Sequence, residues 1–164
     1  MTFVDIIKDI ADKAIAEIGS GYFLYGHPLE IFNTLVEKSQ SETFKYSKYP
    51  LIALFQDFEE DTNDTRVIVN NVTIVIMTET SRDYKAGERY TNTFTPTLIP
   101  LYNEVIRQIK RSRYVFSNNN FQHTKIDRLY YGKEDAFGNS GNIGNDALDA
   151  VIIKGLNLQI VTNC

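Results

Sequence analysis

The sequence predicts an α+β fold: a mostly antiparallel sheet of about four strands with amphipathic helices packed on one face. Three observations carry this. Apolar residues recur at helical spacing near the N-terminus and again over residues 98–109. Val72, Ile74 and Ile76 alternate with Thr73, Val75 and Met77 in the period of a strand. The chain order reads helix, helix, strand, strand, helix, strands, for which two packed layers are the economical architecture. A chain of 164 residues, 43% hydrophobic and 23% charged, can build one such domain around a single core.

Residues 2–18 form the first expected helix. Phe3, Ile6, Ile7, Ile10, Ala14 and Ile18 share one face, while Asp9, Lys13 and Glu17 lie on the other. Thr2 is placed to cap its start, Asp5 complements the N-terminal dipole, and Gly19-Ser20-Gly21 stops it. A short apolar run follows, Tyr22-Phe23-Leu24-Tyr25-Gly26. Pro28 then opens a second helix to about Lys38 with Leu29, Phe32, Leu35 and Val36 on its apolar side. Residues 39–48 read as a loop.

The first expected strand covers residues 49–58. Pro50 cannot donate to a ladder and belongs at its start, and Leu51-Ile52-Ala53-Leu54-Phe55 predicts burial on both faces. The acidic segment 59–64 reads as a solvated hairpin tip. Calcium ligation is the sharper alternative, but the spacing and central glycine of an EF-hand loop are missing. Residues 66–80 form the clearest strand, with a bend or bulge at Asn70-Asn71. Residues 81–94 read as a long polar loop.

A helix is expected from about residue 96 to 113, with Thr95 as cap and Pro96 in the first turn. Leu98, Leu101, Tyr102, Val105, Ile106 and Ile109 make its stripe. Arg107, Lys110, Arg111 and Arg113 fit a helix C-terminus, where cations complement the dipole. Short strands follow at 114–116 and 124–131. Residues 132–146 hold four glycines among polar residues and read as a second long loop. The last strand covers residues 147–161. One domain spans residues 1–164.

Composition and motifs narrow the function. A net charge of −4 argues against wrapping nucleic acid. The lone Cys164 allows no disulfide within a chain and fits a reducing compartment. Neither a secretory signal nor a membrane span is visible. His27 and His123 are about a hundred residues apart and have no ligand pattern around them. The glycines at 138–144 are followed by neither a helical pattern nor Gly-Lys-Ser/Thr, so no phosphate loop is expected. Asp127, Glu134, Asp135, Asp146 and Asp149 form a carboxylate cluster that a metal-dependent hydrolase could draw on, but no Lys, His or nucleophile sits at fixed spacing from them. The expectation is a non-enzymatic chain with no cofactor and no metal. Its interface candidates lie on the two long loops: Arg82, Tyr84, Arg89 and Tyr90 on the first, where Tyr and Arg are the usual interface anchors, and Phe137, Asn139 and Asn142 on the second.

Six segments together resemble a family of small tailed-phage proteins. They are the N-terminal amphipathic helix; Tyr49-Pro50-Leu51-Ile52-Ala53-Leu54 as a strand; residues 72–80 as a second strand ending in Thr78-Glu79-Thr80; a helix with Leu98-Ile99-Pro100-Leu101-Tyr102; Arg128-Leu129-Tyr130-Tyr131-Gly132; and Asp149-Ala150-Val151-Ile152-Ile153 leading into a terminal strand. In order and spacing they are similar to tail-terminator, tail-completion and head-tail joining proteins. The resemblance implies a virion subunit, assembled in the bacterial host cytoplasm, that forms a hexameric or larger ring with itself and binds other neck and tail proteins. DNA would only pass through the lumen, which the acidic segment 59–64 would suit, and no membrane would be involved. A protein-binding adaptor and a small metal-dependent hydrolase are the alternatives.

Overall fold

The structure is a computed structural model that describes residues 1–40, 48–63, 66–131 and 146–161. It is an α+β fold, but among the described residues its sheet has seven strands, includes one parallel pair and carries helices on both faces. The sheet is mostly antiparallel, as expected, but the expected count of about four strands and the placing of helices on one face only are corrected.

Helix α1 (Phe3–Ile18) starts where the sequence places it. The Thr2 hydroxyl accepts from the Asp5 N–H, and the Asp5 carboxylate accepts from the Thr2 N–H at 2.8 Å, so two otherwise orphaned donors are satisfied. Gly19, at φ 91°, ends it in the left-handed conformation. The run after it is a strand, β1 (Tyr22–Gly26), joined through α2 (Pro28–Gln40) to β2 (Leu51–Phe55). β1 and β2 are parallel, which a hairpin cannot achieve; α2 supplies the crossover. All five residues of β2 are buried because α1 covers one of its faces and α2 the other.

The expected acidic tip is itself a strand, β3 (Glu59–Thr62), antiparallel to the first half of β4 (Arg66–Glu79). The long strand β7 (Leu148–Val161) pairs along all of β4. Two small edge strands, β5 (Val115–Phe116) and β6 (Thr124–Arg128), lie on the other side of β7.

The bend expected at Asn70-Asn71 is a bulge. Asn71 takes φ 59°, and Val69 and Val72 both face the α1 layer although three positions apart. On β7, Gly155 at φ 73° does the same between Ile153 and Leu156. The insertions offset each other, so Arg66 still pairs with Val161 and Glu79 with Leu148. The Asn71 N–H, freed from the ladder, donates to Asn157 Oδ1 at 3.0 Å.

The last helix differs most from expectation. Residues 81–94 are not one loop, and Thr95-Pro96 is not a helix start. A helical turn, α3 (Ala86–Arg89), runs into a nine-residue π-helix (Tyr90–Leu98) and then into α4 (Ile99–Arg111). Glu88 accepts from the Lys85 N–H at 2.8 Å to begin it. The wider π spacing relieves the clash that Pro96 would make with the carbonyl four residues back. Buried Thr93, Phe94 and Leu98 hold this costly geometry against the sheet. The predicted stripe lies in place: Leu98, Leu101, Val105 and Ile109 join the core with α1, and Tyr102 and Ile106 pack at its margin.

Candidate functional site

The ends of β4 and β7, the turn at 81–84 and the π-helix border an open, polar cleft of about 440 Å³. Glu79, Asp146, Arg82, Tyr84, Asn92 and the hydroxyls of Thr80 and Thr93 line it. Strand β4 supplies Glu79 at its end and Thr80 just past it, and the π-helix supplies Asn92 and Thr93. The two threonine hydroxyls bond at 3.0 Å, tying helix to sheet.

Beneath the cleft lies a fully buried ion pair. Arg89 Nη1 donates to Asp149 Oδ1 at 2.6 Å. Two further guanidinium donors reach backbone carbonyls, Nε to Tyr84 and Nη2 to Ser81, both at 3.0 Å. The Tyr130 ring stacks on the guanidinium at 3.6 Å, and the Tyr130 N–H donates to Asp149 Oδ1. Asp149 Oδ2 has no partner among the described residues.

Behind the cleft wall, buried Lys48 bonds Asp146, and the Tyr49 hydroxyl donates to the same carboxylate at 3.2 Å. Burial, and after it the Asp146 charge, pushes the Tyr49 phenol well above its ordinary range. The Glu79 carboxyl is raised as well, first by burial and then by Asp146, with Lys48 opposing. Asp146 thus bonds Lys48 and Tyr49 and bears on Glu79 as well.

The interface candidates fare unequally. Arg82 is exposed on the 81–84 turn, Tyr84 is half-buried in the cleft wall, and Tyr90 is 56% exposed and stacked on Phe94. Arg89 is 0% exposed and cannot meet a partner, which corrects its place among them. Its guanidinium is spent on Asp149 and two carbonyls. Phe137, Asn139 and Asn142 lie outside the described residues.

Each described carboxylate of the cluster a hydrolase would draw on is paired with a cation. Asp127 pairs with Lys125 on β6, Asp146 with Lys48 and Asp149 with Arg89. Glu134 and Asp135 lie outside the described residues. Among the described residues, no group of His, Cys, Asp and Glu is arranged to hold a metal. Both histidines make hydrogen bonds within the fold. His27 Nδ1 accepts from the Leu29 N–H at the start of α2, and His123 bonds the Tyr102 hydroxyl and the Phe121 carbonyl.

Sequence reasoning missed the set formed by Lys48, Tyr49, Glu79 and Asp146. Its members come from three distant segments and no local spacing marks them. Among the described residues no helix is long and apolar enough to cross a membrane. Protein-family models, curated proteins and solved structures yield no match to this chain.

Proposed function

We propose that the chain is a non-enzymatic structural subunit of a tailed-phage virion, forming a ring that terminates the tail or joins it to the head connector. One observation carries the reading. The six segments on which the sequence resemblance rests, in so far as they are described, fall in order along one continuous body of sheet and packed helices. Ring closure requires two unlike patches that meet head to tail. The sheet offers them, because its open strands β1, β3, β5 and β6 differ in charge and apolarity. Its partners in this role are itself and the neighbouring neck and tail proteins, with DNA passing through the lumen.

An adaptor that binds another protein is the second reading. It is favoured by the exposed turn after β6, where Leu129 and Tyr130 are 41% and 42% exposed.

Native mass across a concentration series, followed by negative-stain imaging, tests the two. Closed rings are the expected result. A monomer or dimer at every concentration that captures a single host or phage protein through the 129–131 turn would favour the adaptor.

A further inference from the structure

The lower half of the sheet is four strands wide, in the order β3-β4-β7-β5. Its two edges carry opposite charge. On one side, β3 presents Glu59, Glu60 and Asp61, with every residue of the strand exposed. Asp61 accepts a hydrogen bond from Asn70, and Arg66 is the cation of this hairpin. On the other side, α4 ends beside β5 with Lys110, Arg111 and Arg113, all exposed. Among the described residues neither Glu59 and Glu60 nor Lys110, Arg111 and Arg113 form an ion pair.

Both edges also have unused pairing capacity. Among the described residues β3 pairs only with β4, and β5 only with β7. An open edge is a template for another strand, and proteins commonly blunt edges with mixed charge. Here each edge bears one sign. Beside the cations, Phe116 on β5 is 49% exposed and adds apolar area.

We infer that this chain associates with a second copy of itself, head to tail, with the acidic β3 edge of one subunit docking against the basic α4–β5 edge of the next. Direction agrees with this. β3 runs opposite to β4, β4 to β7 and β7 to β5, so β3 and β5 are antiparallel. A rotation about an axis along the strands brings them together in that sense and continues the sheet across the boundary. Opposite charges steer this approach, while β3 against β3 and β5 against β5 set like charges together. The acidic segment thus lies in a subunit contact and not on a lumen wall. The inference deepens the ring reading and rests on it, since it names the two surfaces that meet.

The test uses the full chain in sedimentation velocity over a concentration series. One variant carries Glu59→Lys, Glu60→Lys and Asp61→Lys; a second carries Lys110→Glu, Arg111→Glu and Arg113→Glu. Each alone is expected to weaken association about tenfold or more, and mixing the two restores it. Rising salt weakens the parent's association. If a reversed variant loses its circular dichroism, the neutral set Glu59→Gln, Glu60→Gln replaces it, with a smaller loss in the same direction. Association that survives both reversals overturns the edge assignment and leaves the ring standing. A parent that stays monomeric at every concentration overturns both.

Discussion

Arg89 and Asp149 meet at 2.6 Å with both side chains fully buried, sixty residues apart in sequence. The pair fastens the start of the long helix to the end of the sheet, and the polar cleft lies above it.

Removing one partner leaves the other as an uncompensated buried charge. Arg89→Met is expected to destabilise the fold by about 3–5 kcal/mol. Adding Asp149→Leu to Arg89→Met should recover much of that loss, because the orphaned carboxylate and its unpartnered Oδ2 disappear together. Urea denaturation of the parent, the two single variants and the double variant measures this. Additive losses would show that the two residues act independently.

Glu79 makes stability depend on pH in a defined direction. Its carboxyl is held above the ordinary value of 4.5, so the native state binds the proton more tightly than the unfolded chain does. The stability this proton supplies is complete below the ordinary value and is lost as pH rises through the raised one. Glu79→Gln keeps a neutral side chain throughout. It should be more stable than the parent at neutral pH, with the advantage falling away as pH drops below the usual carboxylate range. Denaturation curves at the two pH values decide it, and an advantage independent of pH would contradict it.

The glycines separate two kinds of cost. Gly155 sits at φ 73° with open space where a Cβ would stand, so Gly155→Ala should cost about 1–2 kcal/mol in backbone strain alone. Gly21 also has positive φ, and a Cβ there would lie 2.8 Å from Ile15. Gly21→Ala should therefore cost more than Gly155→Ala. Thermal melts rank the two, and truncating Ile15 in the Gly21→Ala background should narrow the gap.

The layer beneath α2 is a core in its own right. Phe32 is 1% exposed, packed with Ile31, Leu35, Leu51 and Ala53, its ring 6.0 Å from that of Tyr131. Phe32→Ala should cost about 3–5 kcal/mol, comparable to Leu101→Ala in the larger core at about 2–5 kcal/mol. A loss below about 1 kcal/mol on guanidinium unfolding would mean that α2 merely lies on the surface.

Local chemistry made much of the fold legible. Thr2, Asp5 and Gly19 delimit α1 because capping acts within one turn, and residues 98–109 predict the buried stripe of the last helix because a helix repeats its face every few residues. Pro50 at the head of β2 and the bulge at Asn71 were readable for the same reason.

What depends on distant partners was not legible. Residues 59–62 look like a polar turn, yet they pair with β4 because the β4 backbone offers a free ladder there. Tyr22–Gly26 becomes a strand because β2 lies beside it, and α2 takes the opposite face because the β1–β2 crossover carries it there. Thr95-Pro96 carries a convincing start signal, but anchoring of Arg89 by Asp149 and burial of Phe94 outweigh local propensity and extend the helix ten residues upstream. Arg89, which its neighbours mark as a surface arginine, lies in the core for the same reason. The sequence by itself determined where elements begin, which faces are apolar and that a sheet and helices share one body. Only the tertiary structure decided strand partners, layer count and the fate of the buried charges, because backbone pairing and charge compensation are settled between residues that chain spacing does not relate.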